Sequence, residues 1–238
     1  MIFLKKSIIY QIIIGLLAVL PVLTLFYFGK KEEKSIRVSS FYSGFTVVID
    51  PGHGGEDSGA IGIDDVFEKD VNLKISRRLE MLFNLFGINT EVTRNEDVAL
   101  CTDEKLTLRQ RKNEDLKRRV NKITNISDAI LISIHQNSFP EDKRCHGAQV
   151  FFSTNNVESD ELAKHIQTVL TEKIDTTNKR VEKECPSSVF LMKNVNCPAV
   201  LVECGFLSNE TDVAMLVDDS YQKKLAAGIF SGFLKYKK

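Results

Sequence analysis

Of the 238 residues, 32 are Lys or Arg and 32 are Asp or Glu, so the chain carries no net charge of either sign. That balance removes the electrostatic footprint of a nucleic-acid binder or of a protein steered by a polyanion. The five cysteines, Cys101, Cys145, Cys185, Cys197 and Cys204, include no C-x-x-C pair, which argues against a zinc knuckle and against a thioredoxin-type redox site. A domain of this size builds its core without staples, so the cysteines are expected to be mostly free thiols. The glycine-rich stretch "VVIDPGHGGEDSG" (47–59) matches neither G-x-G-x-x-G nor G-x-x-x-x-G-K-[ST], so a phosphate loop is discounted there. Charge is also missing from one long run, Ser7 to Gly29, rich in Ile, Leu, Val and Phe and flanked by lysines on both sides.

That run meets the roughly 20 apolar residues needed to cross a bilayer. A cleaved signal peptide would end in a small-x-small site, and Phe26-Tyr27-Phe28-Gly29-Lys30 offers none. Residues 1–30 are therefore expected to be an uncleaved transmembrane signal anchor that leaves the following domain outside the cytoplasm. Residues 31–44, polar and Ser-containing, read as a linker, and 45–238 as one domain.

Within that domain two hydrophobic periods alternate. Strand-like runs fall at Thr46–Ile49, Ile88–Val92, Ala129–Ile134, Ala148–Phe152 and Ala199–Val202. Helical spacing links Val71, Ile75, Leu79, Leu82 and Phe86, and again Leu162, Ile166, Val169 and Leu170. A helix capped by Ser208 and a last helix from Tyr221 to about Leu234 complete the pattern. Strands apolar on both faces, such as Ile130–Ile134, point to an α/β fold: a mainly parallel twisted sheet with helices on both faces.

In such sheets ligands bind beyond the carboxyl ends of the strands. His53, His135 and Glu203 each occupy that position on a different strand. Two imidazoles and a carboxylate converging there make a three-ligand set for a catalytic zinc. Glu56, Asp57, Asp64, Asp65, Glu68 and Asp70 all follow His53 closely, and spacing does not choose among them. Glu203 emerges from the apolar run "PAVLV", so its charge must be paired, metal-bound or kept partly protonated. A glutamate with a raised pKa suits general acid–base work.

The segments "VIDPGHGG", "FEKDVNL", "SIHQN" and "VECGFLSN", in that order from Thr46 to the C-terminus, resemble the successive signatures of the type 3 zinc-dependent N-acetylmuramoyl-L-alanine amidases, which cleave peptidoglycan. The resemblance implies His53, Glu68 and His135 as ligands of one Zn2+. It implies Glu203 as the catalytic acid/base that moves a proton from water to the departing amine, and the lactyl–L-alanine amide as the scissile bond. Asn137 is expected to orient substrate or its loop. A domain without wall-binding repeats behind an apolar segment is most like the germination-specific branch of endospore formers, which implies muramic-δ-lactam formation in the spore cortex and a forespore or spore-envelope location. Regulated members fold a long insertion over the metal; here only "SFPEDKRC" follows Asn137, which leaves the cleft open unless an activating protein partner covers it. The rival readings are a zinc peptidase acting on wall peptides and a silent peptidoglycan-binding protein.

Overall fold

The computed structural model describes residues 44–237. The anchor assigned to residues 1–30, and all of the linker but Gly44, lie outside the described residues. Among the described residues no helix is long and apolar enough to cross a membrane.

Among the described residues six strands form one sheet: β1 (Thr46–Pro51), β2 (Thr90–Val92), β3 (Ala129–Asn137), β4 (Gln149–Phe152), β5 (Lys183–Glu184) and β6 (Ala199–Phe206). Their order is β2-β1-β3-β6-β4-β5. The β1–β2, β1–β3, β3–β6 and β4–β5 pairs are parallel, while β4 runs antiparallel to β6. The helices are α1 (Glu68–Leu85), α2 (Leu108–Thr124), α3 (Glu158–Val169), α4 (Phe190–Asn194), α5 (Glu210–Val217) and α6 (Asp219–Tyr236).

Because strand side chains alternate, the central strands feed two separate cores. Val47, Ile49, Ile130, Ile132, Ile134, Val200 and Val202 pack with α1, α3, α5 and α6 in the larger core. Val48, Ala129, Leu131, Ala199 and Leu201 pack on the other face with Ile123 of α2 and Leu191 and Met192 of α4. The same alternation puts Asp50, Ser133, His135 and Glu203 on that second face. The apolar layer thus gives way to polar groups at the carboxyl ends of β1, β3 and β6.

One expectation needs correcting, and one helix is not marked by apolar spacing. Ser208 does not cap α5: Asn209 does, its side chain accepting from the Asp212 amide, while the Ser208 hydroxyl accepts from the Phe139 amide. Helix α2 is not among the elements that apolar spacing marks, because its buried residues are Asp115, Arg119 and Ile123. All five cysteines are free thiols.

Candidate active site

The loop after β1 is held open by buried cations. His53 has φ +62°, a left-handed conformation that costs a non-glycine residue about 1–3 kcal/mol and persists only where its surroundings impose it. Arg94 donates to the carbonyls of Pro51 (3.0 Å) and Gly52 (2.9 Å), and Arg119 to those of Pro51 (2.8 Å) and His53 (2.7 Å). Arg119 is itself fixed by Asp50 and Asp115, each at 2.6 Å. Asp50 also accepts from Thr93 (2.6 Å) and Ser133 (2.7 Å). Burial pushes the Asp50 carboxyl up, but Arg119 and the two hydroxyls overcome it and hold the pKa at about 2.

Glu68, the first residue of α1, is 4% exposed and receives both imidazoles. Its Oε1 accepts from the Gln136 amide at 3.1 Å and faces His135 Nδ1 at 2.9 Å. Its Oε2 accepts from the Ala60 amide at 2.8 Å and faces His53 Nε2 at 3.2 Å. The two rings stand 5.0 Å apart, and one donor atom from each of His53, Glu68 and His135 lies within 4.8 Å of the others. Two glycines make the room: a Cβ on Gly52 would lie 2.3 Å from His135 Nε2, and one on Gly59 would lie 2.5 Å from Glu68 Oε2.

The far nitrogen of His53 is also spoken for. His53 Nδ1 bonds Asp57 Oδ2 at 2.8 Å, and Lys112 reaches Asp57 Oδ1 at 2.7 Å. A carboxylate on the remote nitrogen fixes the tautomer and aims the other nitrogen inward, the arrangement that surrounds metal-ligating histidines. Burial works against the imidazolium, yet Asp57 and Glu68 hold His53 up to about 9. Burial likewise opposes the Glu68 carboxylate, and His135 and His53 hold it well below the usual range. This cluster attracts a cation, and its two imidazoles and one carboxylate are the donor set of a catalytic divalent metal. By chemistry, spacing and cleared volume, these residues fit zinc.

Glu203 sits beside them. It is the register partner of His135 on the adjacent strand, so both side chains leave the same face. Its Oε2 is sealed from solvent and has no hydrogen-bond partner among the described residues. Burial pushes the carboxyl up and Glu68 adds to it against the two imidazoles, leaving the pKa at about 7. A carboxyl poised there accepts and returns a proton near neutral pH. A cavity of about 410 Å³ opens against His53 and His135, between the second sheet face and the helices α2 and α4.

His53, His135, Glu68 and Glu203 thus converge, and of the six acidic residues behind His53 only Glu68 joins the two imidazoles in the cluster. Asp57 supports His53 from outside, Glu56 pairs with Arg111, and Asp64 and Asp65 lie exposed in a 3-10 turn. Asn137 closes β3, its carbonyl accepting from the Leu207 amide at 2.8 Å. Sequence reasoning does not reach the roles of Asp57, Arg94 and Arg119. A signal for Arg119 was present: Asp115, Arg119 and Ile123 recur at a four-residue step, where an inward helical face would ordinarily be apolar throughout.

The fold and this cluster define a member of the Amidase_3 family, N-acetylmuramoyl-L-alanine amidase, whose profile matches residues 47–235; the chain belongs to that family and is an amidase. It is 36% identical over 194 residues to the germination-specific N-acetylmuramoyl-L-alanine amidase of Bacillus subtilis (strain 168), a match covering 82% of this chain and 80% of the relative. Among solved structures it resembles the CwlD amidase from Clostridioides difficile in complex with the GerS lipoprotein, at 41% identity and a TM-score of 0.78 over 81% of this chain and 98% of that one. It also resembles the N-acetylmuramoyl-L-alanine amidase from Clostridium difficile 630, at 30% identity and a TM-score of 0.69 over 81% and 96% of the two chains.

Proposed function

We propose that this chain is a zinc-dependent amidase that hydrolyses the bond between the lactyl group of N-acetylmuramic acid and L-alanine in peptidoglycan. His53, Glu68 and His135 would hold one zinc ion, with Asp57 fixing the His53 ring. When bound, zinc supplies Lewis acidity that polarises an amide carbonyl and acidifies water. Glu203 takes the proton of the attacking water on its carboxylate and delivers it to the nitrogen of the departing L-alanine. Its pKa of about 7 suits both halves of that transfer. Asn137, at the rim, would orient the substrate. The observation that carries this reading is the sealed, partnerless Oε2 of Glu203 on the strand beside His135.

The biological setting we propose is the spore cortex, where removal of the stem peptide exposes the muramic acid from which muramic-δ-lactam forms. Its support is the likeness to a germination-specific relative. Residues 1–30 would anchor the domain in a membrane on its extracytoplasmic side. The similar CwlD was solved with a lipoprotein, and a protein partner at the open rim left by residues 138–145 is part of the proposal. Digestion of purified wall tests the activity. New free L-alanine amino termini with matching muramic lactyl carboxyls are expected, whereas termini only within the peptide would make the chain a peptidase. Cortex lacking muramic-δ-lactam in a deletion strain is the outcome that supports the spore role.

A further inference from the structure

Strand β6, which carries Glu203, lies between β3 and β4, so the His53–Glu68–His135 cluster stands on one side of Glu203 and β4 on the other. Gln149 is the register partner of Glu203 on β4. Its side chain, buried, accepts from Arg180 Nη1 at 3.1 Å and donates to the Val181 carbonyl at 2.8 Å. Arg180 is also held by the His146 carbonyl (2.9 Å from Nε) and by the Phe206 ring, 4.6 Å from the guanidinium carbon. Phe206 is three residues beyond Glu203 on β6. The backbone carrying Arg180 is fixed in turn by Asn178, itself buried, which accepts from the Arg180 amide at 2.9 Å and donates to the Ala148 carbonyl at 2.7 Å. These partners of the guanidinium are a carbonyl, an amide and a ring, none negatively charged.

Arg180 lines a cavity of about 510 Å³ together with Arg144, His146, Lys179 and Asp142. The acid of that set is consumed by Arg144, which binds both its oxygens at 2.8 Å. A cationic recess thus borders Arg180, which is joined through Gln149 to the strand position opposite Glu203. Among the described residues Arg180 spends Nε and Nη1 on neutral acceptors and leaves Nη2, beside an aromatic face, free to meet a carboxylate.

We infer that Arg180 is a specificity-determining residue that receives a carboxylate of the stem peptide, which sets the direction in which substrate crosses the sheet. The inference rests on the amidase reading. On the glycan side of the scissile bond the lactyl carboxyl is consumed in the amide and the sugars are neutral, so the nearby carboxylates belong to the peptide. The glycan then lies toward β1 and the peptide toward β4. The dimensions agree: β3 and β4 are separated by two strand spacings, roughly 10 Å, and an extended peptide advances roughly 3.4 Å per residue. A carboxylate two or three residues beyond the scissile amide spans that gap.

The test uses the full chain and two soluble N-acetylmuramoyl peptides, one with the second-residue carboxylate free and one with it amidated. Wild type should favour the free acid about tenfold in kcat/KM, the scale of one charge-assisted hydrogen bond, with the difference in KM. In Arg180→Gln that ratio should collapse toward one, and in Arg180→Lys, which keeps the charge, it should be partly restored. A purely structural Arg180 would lower activity on both substrates and preserve the ratio, which would overturn the inference. So would a wild-type ratio near one, which requires no variant at all. Failure of wild type to cleave either peptide would instead remove the amidase reading, and the subsite with it.

Discussion

Replacing Gly52 with alanine should unseat His135 without unfolding the domain. The added Cβ would lie 2.3 Å from Cε1 and Nε2 of the ring and 2.8 Å from Cδ2, whereas ordinary contact begins at 3.4 Å. The difference, 3.4 − 2.3, requires a retreat of about 1.1 Å, of the scale at which misplacement costs roughly 100-fold in rate. The backbone cannot give way instead. The Gly52 amide bonds the Ile134 carbonyl at 3.0 Å, and its own carbonyl takes Arg94 at 2.9 Å and Asn72 at 3.2 Å. The ring can move, because the His135 side chain is 21% exposed. Overpacking costs about 1–3 kcal/mol, partly offset by about 0.4–1 kcal/mol from a stiffer unfolded chain, so the domain stays folded. The assay is zinc affinity by competition with a chromogenic chelator, beside thermal unfolding in excess chelator so that metal does not contribute. A folded Gly52→Ala with wild-type zinc affinity would refute the reasoning, since His135 would then not hold the metal.

Asp57→Asn keeps the shape on His53 Nδ1 but removes the charge, and should weaken zinc binding about 10- to 100-fold by the same titration, with Tm in chelator little changed. Arg119→Met leaves Asp50 and Asp115 buried without their cation and should destabilise the fold by about 3–5 kcal/mol in urea titrations. Asp50 has its pKa depressed from 3.8 to about 2, so its contribution, roughly 2–3 kcal/mol at about 1.4 kcal/mol per unit, is fully present above about pH 4 and is lost as pH falls through about 2. Unfolding free energy measured against pH should show that loss in wild type and not in Asp50→Asn.

The strands that carry the site were legible because β1, β3 and β6 are buried on both faces and read as mostly apolar runs that end just before the turn to His53 and directly at His135 and Glu203. The antiparallel direction of β4 was not, since an apolar four-residue strand carries no record of its orientation. Helix α2 escaped for a related reason. It turns Asp115 and Arg119 inward to the Asp50 network, so the hydrophobic spacing that betrays α1 and α3 is absent. At the site, the imidazole positions followed from strand ends alone, but Glu68 could not be told from Asp65 or Asp70 by spacing. What distinguishes it is the set of contacts its carboxylate makes from the first turn of α1, to Ala60, Gln136 and both rings. Asp57, adjacent in sequence, was separated from the donor set only by which nitrogen of His53 it meets.

Metal content and peptide release, measured side by side on wild type, Glu203→Gln and His135→Ala, bear most directly on the division of labour between cluster and acid. One zinc per chain with cleavage in wild type, one zinc without cleavage in Glu203→Gln, and neither in His135→Ala are the results expected. Cleavage by Glu203→Gln, or a full complement of zinc in His135→Ala, would contradict it.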